Sequence, residues 1–480
     1  MLRLNYVKIS EINKQGIKTT HPLKIFFSGI GGSGVSAIAC FMADKGHVVA
    51  GSDRAFDKNP KHPVCRAVKS RGISITPQDG SGIDNSFDLA VFSTAVEHDQ
   101  PDYLTAVALN IPIKTRPEYL AEIIPAFKTI AVAGTSGKST TSGMLAFLMQ
   151  QLGLNPNFIG GGRVKQFKTE TNPGNSIAGN SGFLIIEACE SDGTIVNYRP
   201  EHSIISNLEL DHHFVDKTAG MFEALAKNTS GKVIVNADDK NLMKIFNNNQ
   251  ITFSIDSPSQ YTACDIVYMP LSTDFSLNGI RFSLSLPGKY NLYNAVSCIA
   301  FLSEIGIALK AIAEILHEFK GIERRFDIHL NNGKKLVIDD YAHNPHKISS
   351  LMQAAKNLGK SICYIFQPHG FAPTKMMKAE YIAAFSENLR DSDHLILLPI
   401  YYAGGTTSKD ISSHDLAEGI KTNGKSVEVA KREDILKRLD EWDNFIIFGA
   451  RDETLSAFAK KIAEILQFHT IKKPRQSGAF

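Results

Sequence analysis

The apolar run TIAVA passes directly into GTSGKSTT, and that turn opens the helical pattern SGMLAFLMQQLG. A strand, a glycine turn and a helix in immediate succession commit this stretch to an α/β layer packing, with the turn at the carboxyl end of a parallel strand. Gly134 and Gly137 leave room for backbone N–H groups to surround phosphates, with Thr135 and Ser136 completing the loop. Lys138 is placed to reach β and γ oxygens, and Ser139 or Thr140 to set a hydroxyl on Mg²⁺. The expected ligands are therefore ATP and Mg²⁺. Val132 stands where the pattern GxxxxGK[ST] has its first glycine.

A second glycine turn lies upstream. LKIFFS ends in GIGGSG, followed by the helical SAIACFMADKG and a further strand, HVVAGSD. Gly29, Gly31, Gly32, Ser33 and Gly34 thus form a second anion-binding turn, where a pyrophosphate meets a helix N-terminus. Asp53, ending the next strand, is placed to accept from a ribose hydroxyl. The turn alone leaves open whether the ligand is a dinucleotide or a nucleotide sugar.

At roughly 150 residues per domain, 480 residues predict about three domains. Strand and helix patterns divide them at 1–126, 127–322 and 323–480. The expected class is α/β throughout: a Rossmann-like N-terminal domain, a central ATP-binding domain with a mostly parallel sheet, and a Rossmann-like C-terminal domain. In the central domain, FLIIE closes on Glu187, with Glu190 and Asp192 just beyond. HSIIS is followed by Asn207, Glu209, Asp211 and His212. Carboxylates at the carboxyl ends of parallel strands face the ligand crevice, where they suit Mg²⁺ and developing phosphate charge. Ser139, Thr140, Glu187 and His212 are the candidate metal ligands.

Composition removes other classes. With 52 basic and 49 acidic residues the formal charge is +3, too small for a nucleic-acid-binding field. The 43% hydrophobic content excludes a disordered chain. Six cysteines without a CxxC pair fit a reducing cytoplasm. The N-terminus lacks the apolar core of a signal peptide, and no run of apolar residues is long enough to insert in a membrane.

These motifs, in this order, resemble the Mur ligases, ATP-dependent amide-forming enzymes of peptidoglycan synthesis. The matching segments are FSGIGGSGVSAIA, GSD, STAV, RPEYLAEI, AGTSGKSTT, IIEACESD, SNLELDHH, LPGKYNLYNA, GIERRF and IDDYAHNP. The resemblance implies that Gly29–Gly34, Asp53, Ser93 and Arg116 hold the sugar nucleotide. It places Asn291 and Asn294 on the adenine side, Arg325 near phosphates and Asp340 on the ribose. Lys138, Glu187, His212, Arg325 and His343 become the catalytic set, and His369 a contact at the amino-acid end. The implied reaction joins L-alanine to the carboxylate of UDP-N-acetylmuramate through an acyl phosphate. Closure of the third domain would exclude water from it. Monomer and homodimer both remain open.

Several positions depart from the family pattern. Ser136 and Tyr290 replace histidines, and Gly370–Thr374 stands where RYTRT is usual, without its two arginines. A carboxylate-bearing acceptor wants a cationic clamp, which Lys375 or His369 could supply. The same reaction with a murein tripeptide is therefore an alternative. So are a non-catalytic UDP-sugar-binding homologue and a plain ATPase or phosphotransferase. A dehydrogenase would leave GTSGKSTT unused.

Overall fold

The computed structural model describes residues 22–210, 214–246, 250–359, 361–402, 408–450, 452 and 454–472, the last four of these by backbone alone. It holds three sheets. The first comprises β1 (Lys24–Ser28), β2 (Val48–Ser52), β3 (Ser74–Thr76), β4 (Leu89–Phe92) and β5 (Ile113–Thr115), all parallel, in the order β3-β2-β1-β4-β5. Phe26, Phe27, Ala90 and Val91 are fully buried, as expected where both faces of a parallel sheet are covered. The strand order reverses between β1 and β4. That opens a crevice at their carboxyl ends, where GIGGSG lies.

The second sheet comprises β6 (Lys128–Ala133), β7 (Asn157–Ile159), β8 (Ser176–Ile177), β9 (Phe183–Glu187), β10 (His202–Ile205), β11 (Val233–Asn236), β12 (Ile251–Ser254), β13 (Tyr261–Tyr268), β14 (Thr273–Leu277) and β15 (Ile280–Leu284). Its order is β15-β14-β13-β12-β11-β10-β6-β9-β7-β8, so β6 runs parallel between β10 and β9. The turn after β6 therefore lies between the turns after β9 and β10. The half-buried strand expected at 280–288 is the edge strand β15. The neighbouring β12 and β13 carry too little alternation to be read from the sequence, whereas β14 alternates, with Thr273, Phe275 and Leu277 buried.

The third sheet comprises β16 (Asp327–Asn331), β17 (Leu336–Asp340), β18 (Ile362–Phe366), β19 (His394–Leu397), β20 (Val427–Val429) and β21 (Asn444–Phe448), in the order β16-β17-β21-β18-β19-β20. Only β16 is antiparallel to its neighbour, with a register shift between Ile328 and Leu330.

By contacts the chain forms two compact units. One runs through Val267 and includes Asp274–Ser285 and Asn291–Ile322; the other joins Tyr268–Thr273 and Leu286–Tyr290 to the residues from Glu323 onward. The first two sheets thus belong to one unit. They share one apolar cluster, in which Ile25, Ile38 and Phe41 pack in a continuous core with Ala131, Ile186 and Ile205. Among the described residues, no helix is long and apolar enough to cross a membrane. All six cysteines are free.

Candidate active site

The turn after β6 is held open by glycine. Gly137 sits at φ +81° as the cap of helix Lys138–Gln151. A Cβ there would lie 2.4 Å from Asn294 Oδ1, and one on Gly134 2.2 Å from Ser206 Oγ. Asn207 braces the turn from the next strand end. Its Oδ1 accepts from Ser136 N at 2.8 Å and from the Thr135 hydroxyl at 2.8 Å. No partner within the described residues takes the amides of Gly137, Lys138, Ser139 and Thr140, which open the helix. Those amides and the helix dipole form the anion site.

Lys138 Nζ donates to Gly134 O at 2.6 Å and to Glu190 Oε2 at 2.7 Å. Burial alone would lower this lysine. The carboxylate of Glu190, with Cys189 and Glu187, outweighs it and holds Lys138 above its ordinary value. Ser139 Oγ donates to Glu187 Oε2 at 2.9 Å, which also accepts from Gly161 N at 2.9 Å. Gly161 and Gly162 leave the space beside this pair. A Cβ on the first would lie 2.5 Å from Glu187 Oε2, and on the second 3.0 Å from Ser139 Cβ. A hydroxyl and a carboxylate oxygen facing such a gap are hard donors that suit Mg²⁺. Thr140 is buried, with no hydrogen bond to its hydroxyl among the described residues, and His212 and Asp211 lie outside them. Among the described residues, no cluster of three His, Cys, Asp or Glu forms a metal site.

Asn291 and Asn294 are both buried on helix Lys289–Glu304. Asn294 Oδ1 accepts from Thr141 Oγ1 at 3.0 Å, tying that helix to the first turn of the loop helix.

The upstream turn is built differently from the sequence expectation. Gly29 N and Ile30 N donate to Ser52 O, Gly31 N to Asp53 Oδ2 at 2.8 Å, and Gly32 N to Gly29 O. The free donors are the first-turn amides of helix Ser33–Asp44, from Ser33 to Val35. Asp53 thus supports the turn itself. Its other oxygen takes Ala55 N at 2.8 Å and caps helix Arg54–Lys58. Ser93 flanks the turn, with its Cβ 2.8 Å from a Cβ built on Gly29. Arg116 lies against Gly34 and reaches Asp192 at 3.3 Å, joining this turn to the acidic turn after β9.

Residues the sequence did not single out also act here. Asp102 is fully buried beneath the first turn, taking the Ser28 hydroxyl at 2.8 Å, Gly80 N at 2.9 Å and the Ser52 hydroxyl. Asn175, from the central sheet, donates to Ser33 O at 2.6 Å and Ser36 Oγ at 2.9 Å. Neither carries a local motif.

In the other unit, Asp340 supports a turn in the same way as Asp53. Its oxygens accept from Phe326 N at 2.6 Å and Ala342 N at 2.7 Å, and it clamps the turn containing Arg325. Its burial pushes the carboxyl up, opposed by Arg325. That turn carries positive φ at Arg324 (58°) and Phe326 (48°), and the Arg324 and Arg325 guanidinium groups lie 5.0 and 4.8 Å from the Tyr341 ring centre. His343 packs its ring against His369 at 5.4 Å. Burial, with Lys347 nearby, lowers His343 to about 3, so its imidazole is neutral at pH 7. Lys375 is mostly exposed and paired with Asp410.

Fold and site together define a three-domain nucleotide-dependent ligase. Family profiles match the chain at residues 24–128 (Mur ligase family, catalytic domain), 132–302 (Mur ligase middle domain) and 324–451 (Mur ligase, glutamate ligase domain). The chain belongs to the Mur ligase family and is an ATP-dependent enzyme forming an amide bond. It is 31% identical over 459 residues to the UDP-N-acetylmuramate–L-alanine ligase of Lachnospira eligens, covering 91% of this chain and 97% of that one. With the Clostridium acetobutylicum enzyme of the same name it shares 32% over 457 residues, 89% and 95% of the two chains. The solved UDP-N-acetylmuramate–alanine ligase of Thermotoga maritima superposes with a TM-score of 0.78 at 26% identity, over 93% of this chain and all of that one. A murein peptide ligase of Psychrobacter arcticus shares the fold, with a TM-score of 0.66 at 24% identity over 94% and 99% of the two chains.

Proposed function

We propose that this protein joins L-alanine to the carboxylate of UDP-N-acetylmuramate at the expense of ATP, in the cytoplasm and as part of peptidoglycan synthesis. The observation that carries the reading is the pair of anion-binding turns in one compact unit, linked through Arg116 and Asp192. The first takes the sugar diphosphate on the amides of Ser33–Val35, and the second takes ATP on those of Gly137–Thr140. The relatives named above support the choice of substrates.

Hydroxide is too poor a leaving group for direct amide formation. A carboxylate oxygen of the muramyl group attacks the γ-phosphorus, the bond to ADP breaks, and an acyl phosphate forms. The amine nitrogen then attacks the carbonyl carbon, the carbon–oxygen bond to phosphate breaks, and the amine proton leaves to the medium. Lys138 and the loop amides offset charge on the transferring group, and Arg325 is the second unit's candidate for the same work. Ser139 and Glu187, with Thr140 and His212 as further candidates, would hold Mg²⁺. When bound, that ion neutralises charge on the β and γ oxygens. His343 contributes as a neutral ring.

Phosphate release with UDP-N-acetylmuramate, ATP and a panel of amines tests this reading. Release that depends on L-alanine is expected; no amine-dependent release would remove it. A second reading, a murein tripeptide as acceptor, stays beside it because the segment 370–374 departs from the family pattern at the amino-acid end. Release with tripeptide and not with L-alanine would select it. In K138A, ATP turnover should fall by about a hundredfold or more, with calorimetric UDP-sugar affinity kept.

A further inference from the structure

Glu187, at the end of β9, and Glu190, just beyond it, are treated differently. Glu187 meets a hydroxyl and a backbone amide. Glu190 is 1% exposed and meets Lys138 Nζ through Oε2, while its Oε1 is buried with no hydrogen-bond partner among the described residues. A carboxylate buried for architecture looks like Asp102, which is met by two hydroxyls and a backbone amide. Glu190 is met by one ammonium alone. It is built around that charge.

An ammonium has three N–H directions. Gly134 O and Glu190 Oε2 take two. A phosphate that drew Lys138 off Glu190 would strand a bare carboxylate inside the protein beside a polyanion, a strongly unfavourable exchange. Taking the third direction, or displacing the neutral carbonyl of Gly134, leaves the ion pair whole. We propose that Glu190 is a positioning residue that holds Lys138 Nζ in place throughout the reaction, so that the lysine meets the phosphoryl group from a fixed point. The proposal rests on reading Lys138 as the lysine of the ATP turn.

The test is a double-mutant cycle in the full chain, with wild type, E190Q, E190A, K138M and E190Q/K138M. Gln keeps the length and an acceptor oxygen but not the charge. If Glu190 acts through Lys138, E190Q lowers kcat about tenfold and E190A about a hundredfold, with KM for UDP-N-acetylmuramate within about twofold of wild type. In the K138M background, E190Q then changes kcat less than about twofold. The same factor lost in both backgrounds, or a wild-type kcat in E190A, overturns the proposal. Calorimetric ATP affinity repeats the cycle without turnover, so it decides even for a chain that releases no phosphate. Equal loss of affinity from E190Q with and without Lys138 overturns the positioning role, whereas absent amine-dependent release in wild type overturns only the ligase reading. Should E190A fail to fold, E190Q alone completes the cycle.

Discussion

His343 has a pH signature of its own. Its value falls from 6.5 to about 3 on folding, so below pH 6.5 the unfolded chain takes up a proton that the folded chain refuses. The stability it contributes is complete above pH 6.5 and is lost as pH falls toward 3. In H343N, urea unfolding free energy between pH 6.5 and 4 should have a shallower slope, by at most about 1.4 kcal/mol per pH unit. Asp102 makes the opposite kind of case, a carboxylate whose value lies in what it accepts. D102A leaves Gly80 N and two serine hydroxyls without it, and should cost about 3 kcal/mol of stability. Lys138 stands out by spacing alone, because glycine, lysine and hydroxyls follow one another on a single turn, and Glu187 by its place at the end of an apolar strand. Asp102 does not, since it sits on a helix and its partners come from the ends of two strands and a distant loop. Asp53 and Asp340 show a related limit. A carboxylate at a strand end reads the same in sequence whether or not it takes backbone amides, as both of these do.

Among elements, the long apolar strands announced themselves. β1, β6, β9, β10 and β21 lie within sheets with both faces covered, and their runs are continuous. Others did not: the edge strand β8 is two residues long, and β13, inside the same sheet, is exposed along most of its second half. The antiparallel β16 was hidden as well, because its register shift breaks the alternation on which a strand assignment rests. At the ATP turn, element and residue meet. G137A would force a side chain into left-handed backbone and against Asn294 Oδ1. A misplacement of about 1 Å there should lower kcat/KM for ATP about a hundredfold, read by steady-state kinetics.

For the whole molecule, three domains do not mean three independent melting events. The first two sheets share one core, while Phe326, Ile338, Tyr364 and Phe448 belong to a separate core in the second unit. Calorimetry should therefore resolve two transitions, and UDP-N-acetylmuramate should raise only the one belonging to the first unit. The second unit also has a composite origin. Leu271 and Tyr290, from two short excursions of the central segment, pack against its core, and a Cβ on Gly288 would lie 2.7 Å from Ala354 Cβ. A chimera that exchanges the acceptor domain with a relative, spliced only at residues 322 and 323, would leave those two fragments behind on a foreign scaffold. The transplantable module is three pieces of chain, and recombination among such ligases must carry all three to keep the graft's core closed.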